Sequence, residues 1–140
     1  MFCREHVVQL HREQKRIHDA GAELIVIGNG SPSFITGFRE VTSYRGPLYT
    51  DPSLKTYTAA GLRRGVGTLL NPKVLLHGVR SLARGNMQGR TQGDPTQQGG
   101  VLVVLPSGRV AFQHVSNEAG DNLPAVDAVE ALEAAVQKAA

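Results

Sequence analysis

The sequence predicts an α/β fold, and three observations carry that prediction. A run of apolar, mostly β-branched residues at 24–27 follows an amphipathic segment and ends in Gly-Asn-Gly, which is typical of a strand buried on both faces of a parallel or mixed sheet. The stretch VLVVLPSGRVAFQHV places two apolar runs around Pro106-Ser107-Gly108 and predicts a β-hairpin. A last amphipathic segment, residues 123–139, predicts a C-terminal helix.

The first predicted element is one helix over residues 2–20. Gln14 is a polar interruption on its apolar face, and Gly21 is a natural C-terminal stop. The apolar face consists of Cys3, Val7, Leu10 and Ile17. The charged side chains of residues 12–16 fall largely on the opposite side.

A capping residue followed by proline occurs three times and predicts three further helix starts. Ser31-Pro32 predicts a helix over 32–43, Asp51-Pro52 a helix to residue 60 that Gly61 closes, and Asn71-Pro72 a helix to residue 83. A short strand is predicted at residues 48–50. The apolar face expected for the helix at 32–43 is Phe34, Ile35, Phe38 and Val41, and that of the helix after Asn71 is Leu75, Val79 and Leu82. The face expected for the C-terminal helix is Val126, Val129, Leu132, Ala135 and Val136.

The chain of 140 residues is long enough for one domain with a real core, and we expect a single domain over 1–140. With 41% apolar and 19% charged residues the composition is that of a globular protein, and its core must come mainly from Val, Leu, Ile and Ala. Residues 85–100 are rich in Gly, Gln and Thr, and an irregular stretch of this length is usually functional or mobile.

Charge and cysteine usage exclude several function classes. The net charge of +3 is spread along the chain without a dense basic stripe, so no nucleic-acid partner is expected. One cysteine rules out an internal disulfide and points to a reducing compartment. No secretory signal opens the sequence and no apolar run could span a bilayer, so the expected location is cytoplasmic, without a membrane partner.

Motifs for nucleotide binding, nucleophilic hydrolysis and metal binding are incomplete or absent in the sequence. GNGSPS lacks the third glycine of a dinucleotide fingerprint, and no Gly-x-Ser-x-Gly nucleophile turn occurs. The five histidines show no ligand spacing, so no metal site is expected. Asp51 and Asn71 are interpreted as helix caps, and Asp121 as a turn or cap residue before the last helix.

Three stretches carry a resemblance to a known family: FCREHVVQLHREQKRIHDAGAELIVIG, PLYTDPSLKTYTAAGL and QGDPTQQGGVLVVLPSGRVAFQHVSNEAGD. In this order they resemble the AhpC/TSA-type peroxiredoxin-like proteins, in particular the peroxiredoxin-like 2 group that includes prostamide/prostaglandin F synthase-like members. The resemblance implies a thioredoxin-like fold with a mixed central sheet and flanking helices. The family enters its first helix through a Cys-Pro-Phe-Cys-like turn, whose second half matches Phe2-Cys3-Arg4-Glu5. We therefore expect the family's first cysteine and first strand to be absent from this chain.

The resemblance implies thiol-dependent reduction of a peroxide or a disulfide, with Cys3 as the catalytic residue. A thiol in a first helical turn lies near the positive end of the helix dipole, which favours the reactive thiolate, and Arg4 lies beside it. Gln98, Gly99 and Gly100 match the segment that lies across from the cysteine turn in such folds, and we expect them to contact the substrate. Without an upstream cysteine, turnover requires an external thiol of the glutathione or thioredoxin type; no cofactor is implied, and a homodimer stays open.

Two alternatives stand beside this hypothesis. Cys3 shares an apolar face with Val7 and Leu10, and free cysteine is among the most buried residue types, so it can equally be an inert core residue. The chain can also be a non-catalytic thioredoxin-fold binding module, or an N-terminally shortened and inactive family member. The missing upstream cysteine is the feature that separates these alternatives from the enzyme.

Overall fold

The computed structural model describes residues 2–62, 64, 97–117 and 121–140. In this part of the chain the helices are α1 (Phe2–Arg12), α2 (Gln14–Asp19), α3 (Phe34–Thr42), α4 (Lys55–Ala59) and α5 (Ala125–Ala139). The strands are β1 (Val26–Gly28), β2 (Leu48–Thr50), β3 (Gly100–Val104) and β4 (Val110–Val115). The helix predicted after Asn71 and most of the irregular stretch at 85–100 lie outside the described residues.

The first predicted helix is two helices. Glu13, with φ −90° and ψ 7°, separates α1 from α2, so the break comes directly before the polar interruption at Gln14. Of the predicted apolar face, Val7, Leu10 and Ile17 are buried, and the side chain of Cys3 lies outside the described part of the structure. The C-terminal stop is also confirmed, since Gly21 has φ +78°, a conformation that glycine adopts without strain.

Strands β1 and β2 are parallel, as the apolar run predicted. The prediction that this run is buried on both faces is wrong. Ile25 and Ile27 are 54% and 44% exposed. Tyr49 pairs with Ile27, lies on the same face of the sheet because paired residues share a face, and is also exposed. Among the described residues, this face of the parallel pair is uncovered.

Helix α3 begins two residues later than predicted. The Ser31 hydroxyl does not cap it; its Oγ lies 2.7 Å from Ser33 Oγ instead, and the N-cap residue is Ser33. The apolar face is also corrected at its end, where Val41 is exposed and Thr42 is buried. Thr42 satisfies its hydroxyl by donating to the Phe38 carbonyl at 2.7 Å, which makes a polar residue acceptable inside.

Helix α4 is shorter than predicted because its cap is an extended turn. The Asp51 carboxylate accepts hydrogen bonds from the Thr56 N–H at 2.7 Å and the Thr56 hydroxyl at 2.6 Å. The Leu54 N–H donates to the Asp51 carbonyl, and Leu54 has φ 60°. The capping role of Asp51 is thus confirmed, but the four residues before α4 form a turn and not the first helical turn.

The predicted hairpin is present at β3 and β4. Its register runs from Gly100 opposite Val115 to Val104 opposite Val110, with an irregularity at Val103/Val104, and Gly108 has φ +87° in the connecting turn. Helix α5 packs on both strands. Its buried residues are Ala125, Ala128, Val129 and Ala135. Val126 and Val136 were predicted to face inward and are exposed, because the alanines, not these valines, face the strands and α1.

In the described residues the two strand pairs form no hydrogen-bonded pairing with each other. The segment that contains Tyr57 and Ala60, after β2, contacts both of them. Val26 N–H donates to Pro47 O and Gly28 O accepts from Asp51 N–H, so Ile27 directs its backbone groups to the other edge of β1. There the Tyr57 hydroxyl donates to the Ile27 carbonyl at 2.9 Å. On the hairpin side, the Gln113 amide donates to the Ala60 carbonyl.

The core joins α1, α5 and residues beside both strand pairs. Leu10, Ala125 and Ala128 form its buried cluster, and Leu24, Val101 and Leu123 pack against it. The aliphatic prediction missed Tyr44, which is 0% exposed and donates its hydroxyl to the Leu24 carbonyl at 2.6 Å. One parallel and one antiparallel strand pair with flanking helices give the predicted α/β architecture of the thioredoxin-like type. No helix within the described ranges is long and apolar enough to cross a membrane.

Candidate functional site

Cys3 occupies the first turn of α1. It is the second residue of this 11-residue helix and is directly followed by Arg4 and Glu5. The N–H groups of a first helical turn have no carbonyl partner within the helix. Together with the helix dipole they favour an anion at this end. The helical position predicted for Cys3 is therefore confirmed, and the half-buried Arg4 adds a cation to the same turn.

His6, one turn after Cys3, is held between α1 and the segment before α5. Its Nε2 lies 2.8 Å from the Leu123 carbonyl. A carbonyl oxygen only accepts, so this nitrogen carries the proton and a neutral ring has its lone pair on Nδ1. Burial lowers the pKa of His6 below its ordinary 6.5 by more than the hydrogen bond to the Leu123 carbonyl raises it, and the His114 side chain lowers the pKa further, which keeps the imidazole neutral at pH 7.

His114, which influences the pKa of His6, lies next to Asp121. His114 Nε2 is 3.9 Å from the Asp121 carboxylate and 3.5 Å from the Asp121 carbonyl. The same carboxylate accepts a hydrogen bond from the Asn117 N–H at 2.8 Å. This bond confirms Asp121 as a turn residue and fixes the carboxylate beside the His114 ring.

The segment predicted to contact the substrate is ordered by the hairpin. Gln98 is buried, and its carbonyl accepts from the Gln97 side chain at 2.9 Å. The Gly99 carbonyl accepts from the Ser116 N–H at 3.1 Å. A Cβ on Gly100 would lie 2.5 Å from both the His114 carbonyl and a Leu62 methyl, so Gly100 permits close backbone packing within the fold. A Cβ on Gly99 would meet nothing within 4 Å.

Each of the two histidines is close in the chain to one predicted part of the site. His6 lies one turn after Cys3 on α1, and His114 pairs with Val101, the residue after Gly100. The sequence did not predict these histidines as site residues, because their spacing does not match a set of metal ligands. These two histidines are 108 positions apart in the sequence, so no local pattern connects them. No group of three or more His, Cys, Asp or Glu residues in the described part of the chain is arranged to hold a metal ion.

Comparison with known proteins identifies relatives of the chain. The sequence pattern of the family described as "AhpC/TSA antioxidant enzyme" matches residues 9–118. That range includes Gln98–Gly100 and begins after Cys3 and Arg4. Peroxiredoxin-like 2C of Bos taurus is 32% identical over 134 residues, which cover 88% of this chain and 58% of the relative.

Two further relatives carry different names. The protein named "Thioredoxin-like protein AAED1, chloroplastic" of Arabidopsis thaliana is 30% identical, with 94% of this chain and 56% of the relative covered. Prostamide/prostaglandin F synthase of Salmo salar is 28% identical, with 94% and 68% covered. No solved structure matches.

The matched family range covers well over half of the chain and contains both strand pairs described above. The chain spans 58% of the length of the peroxiredoxin-like 2C proteins of Bos taurus and Mus musculus. By this match, and by its identity to the peroxiredoxin-like 2C of Bos taurus, the chain belongs to the AhpC/TSA antioxidant enzyme family.

Proposed function

We propose that the protein is a thiol-dependent oxidoreductase that reduces a peroxide or a disulfide through Cys3. The observation that carries this proposal is the position of Cys3 in the first turn of α1 within a chain of the AhpC/TSA family. Cys3 is the single cysteine among the 140 residues of the sequence. Family membership supports redox chemistry in general, and the helix start gives a physical reason for a reactive thiolate.

With a peroxide, the Cys3 thiolate attacks one oxygen of the O–O bond. That bond breaks, the second oxygen leaves as an alkoxide and takes a proton from water, and Cys3 becomes a sulfenic acid. An external thiol then displaces water and forms a mixed disulfide with Cys3. A second external thiol releases the Cys3 thiolate as the external disulfide forms. The external thiol, of the glutathione or thioredoxin type, is thereby the reductant and the peroxide the oxidant.

The surrounding groups would have separate roles. Arg4 and the helix N-terminus would stabilise the thiolate electrostatically. Gln98–Gly100, ordered by the hairpin, would form one side of the substrate site, where backbone groups can approach a small substrate closely. This assignment makes Cys3 the catalytic residue and the rest binding and positioning residues.

The test is hydrogen peroxide consumption with glutathione as reductant, in the wild type and in Cys3→Ser. We expect the substitution to reduce consumption to the uncatalysed rate. Alkylation of the single thiol against pH should have its midpoint below the ordinary 8.5 of cysteine. Equal consumption in both proteins, with a midpoint at or above 8.5, would show that Cys3 is an inert helix residue.

Arg4 and Arg12 give a matched pair for the electrostatic part of the proposal. Both lie on α1, but Arg12 is the last residue of the helix. Arg4→Gln should raise the midpoint of thiol alkylation and slow peroxide consumption, because it removes a cation from the turn that holds Cys3. Arg12→Gln should leave both unchanged, since more than a helical turn of separation and solvent screening weaken its charge at Cys3.

A further inference from the structure

A groove lies between the hairpin and α5, away from the Cys3 turn. It has a volume of about 390 Å³, within the range of small-molecule sites, which starts at about 300 Å³. We call it the hairpin groove. Its principal lining residues are Arg109, Val110, Phe112, Ala131, Ala135 and Lys138.

The floor of the hairpin groove is apolar and elongated. Val110 and Phe112 come from β4, and Ala131 and Ala135 from α5. Alanine side chains end at Cβ, so they leave space between the helix and the strand. The seven helical steps from Ala131 to Lys138 rise about 10 Å, and the three steps from Arg109 to Phe112 cover about the same length along the strand. The groove is therefore elongated, and its floor is largely apolar.

Both cations of the groove lie at the same end. The start of β4 and the last turns of α5 line it together, so the helix runs antiparallel to the strand. Arg109 precedes β4 and Lys138 lies in the last turn of α5, which places the two side chains at one mouth of the channel. Within the described residues neither side chain has an acidic partner; Glu133 of α5 pairs with Arg16 at 3.0 Å. Two free cations beside an apolar floor give the groove a charged end and an apolar end.

We propose that the hairpin groove binds a single-chain amphiphilic carboxylate, such as a fatty acid. The carboxylate would lie between Arg109 and Lys138, where the two cations attract it. The alkyl chain would lie along Val110, Phe112 and the alanines, where its burial from water is favourable. A cationic or neutral amphiphile lacks the charge that the mouth of the groove selects.

This site is separate from the proposed redox centre. The Leu123 carbonyl, just before α5, contacts His6 one turn from Cys3, whereas Lys138 is at the other end of the helix. Lys138 follows Ala125 by 13 positions in the helix, which places these ends about 20 Å apart. Binding in the groove therefore does not depend on the chemistry of Cys3.

The experiment is titration of the ¹⁵N-labelled protein with sodium decanoate, below the concentration at which decanoate aggregates. We expect saturable shifts of the amide signals of Val110, Phe112 and Ala135. Decanol and decylammonium, which share the chain and differ in the head group, should bind at least fivefold more weakly. Non-saturable shifts, or equal binding of all three amphiphiles, would overturn the proposal.

Variants test the two ends of the groove separately. Arg109→Gln/Lys138→Gln should weaken decanoate binding about fivefold or more, since two surface cations are removed, while Lys55→Gln on α4 should have no effect. Ala134→Leu, at an exposed groove position, should obstruct the alkyl chain and abolish the shifts. Unchanged binding in both groove variants would contradict the assignment. Saturable binding of a short Leu- and Glu-containing peptide without decanoate binding would assign the groove to a protein segment and also overturn it.

Discussion

The two strand pairs of this protein are built in opposite ways. The β3–β4 hairpin is joined by a tight turn, has five paired positions and is covered by α5. The β1–β2 pair is parallel, has three paired positions and leaves Ile25, Ile27 and Tyr49 exposed on one face. A hairpin forms mostly from local contacts, whereas a parallel pair requires a long connection to bring its strands together. The hairpin can thus organise itself, while the parallel pair depends on side chains from elsewhere.

Tyr44 is the side chain on which the parallel pair depends most. It is fully buried, and its hydroxyl donates to the carbonyl of Leu24, before β1, and lies 3.1 Å from that of Pro47, before β2. Tyr44→Ala should lower the free energy of unfolding by about 4 kcal/mol, the largest effect predicted here. Tyr44→Phe keeps the ring and should cost about 1–3 kcal/mol, because carbonyls lose their donor. Chemical denaturation measures both, and a cost under 1 kcal/mol for Tyr44→Ala would contradict this dependence.

Gly100 is the corresponding weak point of the hairpin. An added Cβ would lie 2.5 Å from the His114 carbonyl across the strand pair. Gly100→Ala should therefore cost about 1–3 kcal/mol of stability through overpacking. Gly99→Ala is the matched control, because its Cβ would enter open space, and it should change stability by less than about 1 kcal/mol. Equal effects of the two substitutions would show that close packing at Gly100 does not limit the hairpin.

His6 links α1 to the segment between the hairpin and α5, and it makes that link sensitive to acid. Because its pKa is lowered in the folded state, mainly by burial, the unfolded chain binds a proton more readily below pH 6.5. The stability contributed by the neutral ring is present above pH 6.5 and is lost as the pH falls through the folded-state pKa. His6→Gln should flatten the dependence of the unfolding free energy on pH in this window. The exposed His18→Gln is the control, and an unchanged slope in His6→Gln would contradict the link.

Asp51 provides the smallest of these effects, at the carboxyl end of β2. Hydrogen bonds from Ser53 and Thr56 lower the pKa of Asp51 from 3.8 to about 2. Its contribution to the turn before α4 is therefore present above about pH 3.8 and is lost as the pH falls through about 2. Asp51→Asn should remove this acid dependence, which titration of the Thr56 amide signal by NMR would follow. A Thr56 signal that titrates identically in Asp51→Asn would refute the assignment.

Sequence reasoning worked best where a single local rule decides the structure. The turn at Pro106–Gly108 and the stop at Gly21 follow from glycine's conformational freedom, and the short strand at Leu48–Thr50 lies where it was predicted. Prediction from the sequence failed where contacts with other helices and strands decide which residue is buried. Val126 and Val41 fit an amphipathic pattern, yet Ala125 and Thr42 take the buried positions beside them. Periodicity predicts which residues share a helix face. Which of two neighbouring positions is buried depends on the element that the helix packs against.

The candidate site divides in the same way. The sequence by itself determined that Cys3 is the only thiol, that it begins a helix, and that the chain resembles the AhpC/TSA family. Only the tertiary structure brought His6 of α1 to the Leu123 carbonyl and within electrostatic range of His114 of β4, and only it placed Arg109 and Lys138 in one groove. The physical reason is that helix starts and turns are set by neighbours in sequence, whereas contacts between residues separated by a hundred positions are set by how whole elements pack.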